Sequence, residues 1–260
     1  MFKILKYSFY DLIRSRWSYV YFLFYLLLGF VLLFLNNDLS KAVITLLNVI
    51  IVLVPLIGTI FGVMYYYNSK EFTELLLAQP IPRKSIFMGQ YLGVSISLAA
   101  SFILGLGLPF LFYGIMVSTE IWNFGMLLVV GTMLTFIFTA LSFLVASRFE
   151  NKIKGFGIAI VVWLFLAVIY DGLFLLSLIL FESYPLDKFA LGASMLNPID
   201  LSRILILLKL DISALLGYTG AVFNKFFGSS QGLIISLGAL LLWILLPLGW
   251  FLKAIRLKDF

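Results

Sequence analysis

Residues 121–147 read IWNFGMLLVVGTMLTFIFTALSFLVAS, with Glu120 before them and Arg148 after. No charged side chain interrupts the run. A helix of about 20 apolar residues spans the roughly 30 Å hydrocarbon core of a bilayer. A soluble helix of this length needs a polar face, and this run has none. It is therefore read as a transmembrane helix.

Five further runs of the same kind lie at about 17–35, 42–67, 86–114, 155–181 and 232–252. Four of them carry no charge, and the run at 155–181 contains Asp171. Pro55, Pro109 and Pro247 fall inside runs, which membrane helices tolerate because neighbours satisfy the freed backbone groups. Composition agrees. Of 260 residues, 63% are hydrophobic and 12% charged, about half the charged fraction of a soluble domain. Such a chain cannot give itself a polar skin, so lipid is its solvent. The expected fold class is an all-α integral membrane protein: six transmembrane helices, an N-terminal interfacial helix, and a periplasmic helical segment before the last span.

The basic residues set the orientation. Segments 1–16, 68–85, 148–154 and 253–260 hold thirteen of the eighteen Lys and Arg residues. The other five are Lys41, Lys188, Arg203, Lys209 and Lys225. This split places both ends in the cytoplasm, as an even number of spans requires. The net charge of +6 follows from topology, so nucleic acid is not an expected partner. At the start, Lys3, Lys6, Tyr10 and Arg14 share one helical face, and Phe2, Leu5, Phe9, Leu12 and Ile13 another. That pattern suits an amphipathic helix lying in the cytoplasmic interface. No internal repeat or low-complexity linker appears, so residues 1–260 read as a single domain.

Cysteine and histidine are both absent. Disulfides, His/Cys metal sites, Cys nucleophiles and Ser–His–Asp triads are thereby excluded. No metal site and no cofactor is expected. A phosphate-binding G-x-x-x-x-G-K-[ST] loop is also lacking, so the chain is not itself expected to be an ATPase or another enzyme.

Two stretches between the spans carry information. In N-S-K-E-F-T-E-L-L-L-A-Q-P-I-P-R-K, residues 68–84, Asn68 and Glu71 look like a capping box. Phe72, Leu75 and Leu76 are expected on one face, and Pro80 and Pro82 end the helix. This short helix is either a rigid interfacial connector or a docking element for a cytoplasmic partner. The second stretch, 182–231, is long for a connection. Within it N-P-I-D reads as a helix start, with Asn197 as N-cap, Pro198 first in the helix and Asp200 near its positive end. Ile204–Leu208 continue it, and Gly217, Gly220, Gly228 and Gly232 break up the chain beyond Leu208. Short helices packed on the outer ends of the spans are expected. Asp171 needs a partner or a wet cavity, because a charge at that depth costs at least ~2.5 kcal/mol. It is either a structural polar contact between helices or a polar point in a pathway or dimer seam.

The whole pattern resembles the ABC-2 type permeases, and more narrowly the permease of the nitrous-oxide-reductase maturation transporter, the NosY type. The residues carrying the narrower likeness are ELLLAQPIPRKSI (Glu74 to Ile86), YDGL (Tyr170 to Leu173) and NPIDLSR (Asn197 to Arg203). The resemblance implies a homodimer in the bacterial cytoplasmic membrane, a separate cytoplasmic ABC ATPase subunit, and a periplasmic partner protein, all set in membrane lipid. It implies that Glu71, Phe72, Glu74, Leu75 and Leu76 form the coupling helix in the ATPase groove. It also implies a role in assembling the copper centre of nitrous oxide reductase. The alternatives are an ABC-2 exporter of a drug, lipid or polysaccharide, and a membrane scaffold that transports nothing.

Overall fold

The computed structural model describes residues 2–14, 16–36, 38–181, 187–209 and 230–257. They form helices α1 (Phe2–Arg14), α2 (Arg16–Leu35), α3 (Leu39–Asn68), α4 (Lys70–Leu77), α5 (Arg83–Phe112), α6 (Ile121–Arg148), α7 (Lys152–Leu164), α8 (Tyr170–Leu180), α9 (Asp187–Met195), α10 (Pro198–Lys209) and α11 (Ser230–Leu257). Among the described residues, six helical stretches are long and apolar enough to cross a membrane: Ser18–Leu35, Leu39–Asn68, Arg83–Phe112, Ile121–Arg148, Lys152–Leu180 and Gln231–Arg256. They coincide with the six runs read from sequence. The protein is an all-α, multi-pass membrane protein. The side bearing α1, α4 and the α6–α7 junction is termed the basic face, and the other side the opposite face.

Lipid offers no hydrophobic drive between helices, so close approach and shared hydrogen bonds hold them. At the α3–α6 contact, a Cβ on Gly62 would lie 2.7 Å from the Ser142 Cβ. The Ser142 hydroxyl meanwhile donates to the Thr59 carbonyl at 3.1 Å. Only a missing side chain lets these two backbones come so near. Gly62→Leu should therefore wedge α3 from α6 and cost about 1–3 kcal/mol. The check is the temperature at which the detergent-purified protein loses monodispersity. Gly107→Ala is the control, since nothing lies within 4 Å of that added Cβ. Equal midpoints for both variants would remove the argument.

α1 differs from expectation in its partner. Its charged face is exposed, but Ile4, Ser8 and Leu12 are buried. They pack on α5, where a Cβ on Gly93 would meet the Ser8 Cβ at 2.6 Å. The apolar side is thus covered by a span as well as turned toward the interface.

Span 5 also differs. Between α7 and α8 the helix widens into a π turn at Phe165–Ile169. A π turn inserts one residue and rotates everything after it, which re-aims Tyr170 and Asp171. Gly232 does not break the chain but lies within α11. The expectation for Gly217, Gly220 and Gly228 falls outside the described residues.

The α9–α10 pair is the main correction. It does not rest on the outer ends of the spans. Its two helices bend by 112° between Phe189–Met195 and Pro198–Leu207. The bend reaches about halfway along two spans: the Asn197 Nδ2 donates to the Leu166 carbonyl at 2.8 Å, and the Trp243 Nε1 to the Met195 carbonyl at 3.2 Å. From Asn197 to Arg203 the chain climbs beside span 5 from Leu166 to Asp171, toward the opposite face. α9–α10 is therefore a re-entrant hairpin. Ile199, Leu201, Ile204, Leu205 and Ile206 are buried against α3, α6 and α11.

Candidate functional site

On the basic face α4 is short, yet it is tied down at two points. Gln90 Nε2 on α5 donates to the Thr73 hydroxyl at 2.8 Å, and that hydroxyl donates to the Ser69 carbonyl at 2.7 Å. Phe72 stacks on Tyr7 of α1, with ring centroids 4.5 Å apart. Both contacts sit on the inner side of α4. The three apolar residues expected on one face are thus divided: Phe72 faces α1, Leu76 is half-buried, and Leu75 points outward with 69% of its surface exposed. Glu71 and Glu74 are exposed, and Glu74 lies 3.8 Å from Lys70 one turn earlier.

The capping box is not formed. The N-cap is Ser69, without a side-chain bond to the helix, and Asn68 closes α3. The Asn68 Oδ1 instead accepts from the Lys152 Nζ at 2.9 Å, so this residue links two loops of the basic face. Tyr67 strengthens that link by donating to the Phe149 carbonyl at 2.7 Å. This tie was not read from the sequence, although the aromatic run Tyr65–Tyr67 at a span end is the kind of signal an interfacial anchor leaves.

The second constellation lies within the membrane region. The Arg203 Nη1 reaches the Asp171 Oδ2 at 2.8 Å and the Asp200 Oδ1 at 3.7 Å. The Asp200 Oδ2 accepts from the Asn197 Nδ2 at 2.8 Å, and the Asn197 Oδ1 accepts from the Ile199 backbone N–H at 3.0 Å. α10 begins at Pro198, so the NPID motif both opens the helix and supplies an acidic group. Tyr170 adds a tie from span 5 to the hairpin, donating to the Ala193 carbonyl at 2.7 Å. Asp171 thus has a partner, and it is not the lone ionisable group at this depth. The partner, Arg203, was missed from sequence because it stands in a segment read as lying beyond the membrane.

One guanidinium bonds the Asp171 carboxylate and lies beside that of Asp200, so it joins span 5 to the hairpin. Breaking that contact leaves charge uncompensated in a poorly hydrated place. Its chemistry is that of a joint between span 5 and the hairpin, and nothing in it resembles a nucleophile or a metal cage.

Together, the six spans, the re-entrant hairpin and a short helix anchored at one face define a multi-pass helical membrane protein. No family model matches the chain. It is similar to the protein named "Probable ABC transporter permease protein NosY" from Stutzerimonas stutzeri, with 28% identity over 187 residues, 68% of this chain and 62% of that one. A protein of the same name from Pseudomonas aeruginosa is 27% identical over 169 residues, 62% of each chain. The matches thus span 62% of those relatives' own length. They support the NosY-type resemblance carried by the short motifs.

Proposed function

We propose that this chain is the permease subunit of an ABC transporter, driven by a separate ATPase subunit that docks on α4. The observation that carries the reading is the mounting of α4. An apolar side chain, Leu75, faces away from the bundle, while Thr73 and Phe72 fix the same helix to α5 and α1. A push on such a helix passes to span 3 rather than dissipating in a loop. On this reading the basic face is cytoplasmic, both ends lie in the cytoplasm of a bacterium, and the complex sits in its cytoplasmic membrane. The permease works as a homodimer with a periplasmic partner protein. Its service is maturation of the copper centre of nitrous oxide reductase, and it acts there by movement. A chain without Cys or His offers copper only weak ligands.

The test is gentle detergent purification of the tagged chain expressed with its neighbouring genes, followed by mass spectrometry of the bound subunits. An ATPase in stoichiometric amount and two permease copies are expected. A monodisperse permease that captures no nucleotide-binding subunit would overturn the reading.

A further inference from the structure

A cavity of about 470 Å³ opens on the basic face between α1, the end of α3 and the start of α4. Its walls change character with depth. Phe61 and Met64 on α3, with Leu12 of α1, make the inner part apolar. One to two turns further along α3, Asn68 and Ser69 make it polar, and Asp11 and Arg14 of α1 add charge beside Leu12. That gradient matches the boundary between acyl chains and headgroups.

The charges are of both signs, and they are available. Asp11 and Arg14 are exposed, and neither has an ion-pair or hydrogen-bond partner among the described residues. Their i, i+3 spacing would have allowed them to pair. Between them and the apolar part Tyr65 adds to the wall. An anion alone would suit Arg14 and be repelled by Asp11. A cation alone would suit Asp11 only.

We propose that this cavity is a binding site for one aminophospholipid, with the phosphate at Arg14, the ammonium at Asp11 and the glycerol end against Phe61 and Met64. An ammonium that carries N–H donors is favoured over a quaternary one, because Asp11 can accept from it. Phe72 of α4 forms one wall, so the lipid packs beside the helix that bears Leu75.

The experiment is native mass spectrometry of the full chain, delipidated and then exposed to an equimolar mixture of phosphatidylethanolamine and phosphatidylcholine in micelles. One charge-assisted hydrogen bond predicts that phosphatidylethanolamine is retained in about tenfold excess, one molecule per chain. Asp11→Asn should erase the preference while leaving binding, and Arg14→Gln should weaken both lipids. Size exclusion confirms that each variant remains monodisperse. Equal retention of the two lipids by the wild type would overturn the proposal, as would an unchanged preference in Asp11→Asn. Displacement of the bound lipid by soluble glycerophosphoethanolamine would overturn the lipid assignment, since the apolar end would then contribute nothing. Failure of that compound to compete supports it.

Discussion

Replacing Leu75 by Asp should strip the ATPase from the purified permease while leaving the membrane bundle intact. Leu75 is 69% exposed on α4. Covering it with a partner groove removes on the order of 100 Å² of apolar surface from water, worth about 2.5 kcal/mol before association costs. An Asp in the same groove loses that gain and adds a desolvation penalty, so ATPase binding should fall by roughly fifty-fold or more. Phe72→Ala should act differently. It removes the stack on Tyr7 and so loosens the mounting of α4, and the ATPase should bind but couple poorly. Glu74→Lys should disturb docking through charge, with an effect that shrinks as salt rises. The measurement is ATPase retained per permease after size exclusion, together with ATP turnover of the retained complex. Full retention by monodisperse Leu75→Asp would end the assignment of α4 as the docking helix.

The spans were legible because their physics is local. Uncharged length decides them, and the runs at 121–147 and 42–67 contain enough of it to leave one reading. What was not legible depends on contacts between distant segments. The sequence of α4 places Phe72, Leu75 and Leu76 near one another, but which of them points outward is decided by Tyr7, on another helix. α10 is too short to cross a membrane, and from composition it reads as a surface helix. Its depth is set by Asn197, Tyr170 and Trp243, each of which bonds a backbone carbonyl far away in the chain. The π turn contains neither Pro nor Gly at Phe165–Ile169, so no residue announces it. Asp171 did announce a need. A carboxylate inside an apolar run requires a partner, and the candidates were few. Arg203, one turn after Asp200 in a mostly apolar helix, was the strongest of them once the hairpin was allowed to enter the membrane.

Arg203→Met should be the most damaging single change in the membrane region. The Met side chain keeps much of the length and all of the apolar stem but none of the donors. Asp171 loses its 2.8 Å partner, and Asp200, only 5% exposed, loses its counter-charge. Removing one member of a buried pair costs about 3–5 kcal/mol, because the other charge stays behind. The lower end of that range applies, since Asp171 and Arg203 each keep more than a quarter of their side-chain exposure (28% and 29%). Asp171→Asn should be far milder, because an amide oxygen still accepts from the guanidinium. The informative variant is the double one. Arg203→Met with Asp171→Leu removes both ends of the short bond, leaving Asp200 with Asn197, and should recover part of the lost stability. Thermal midpoints of monodispersity for the two single variants and the double complete the cycle. If the hairpin is held by this clamp, Arg203→Met should also expose α10 to protease from the opposite face before the bundle as a whole comes apart. A variant as heat-stable and protease-resistant as the wild type would show that the hydrogen bonds of Asn197, Tyr170 and Trp243 hold the hairpin without it.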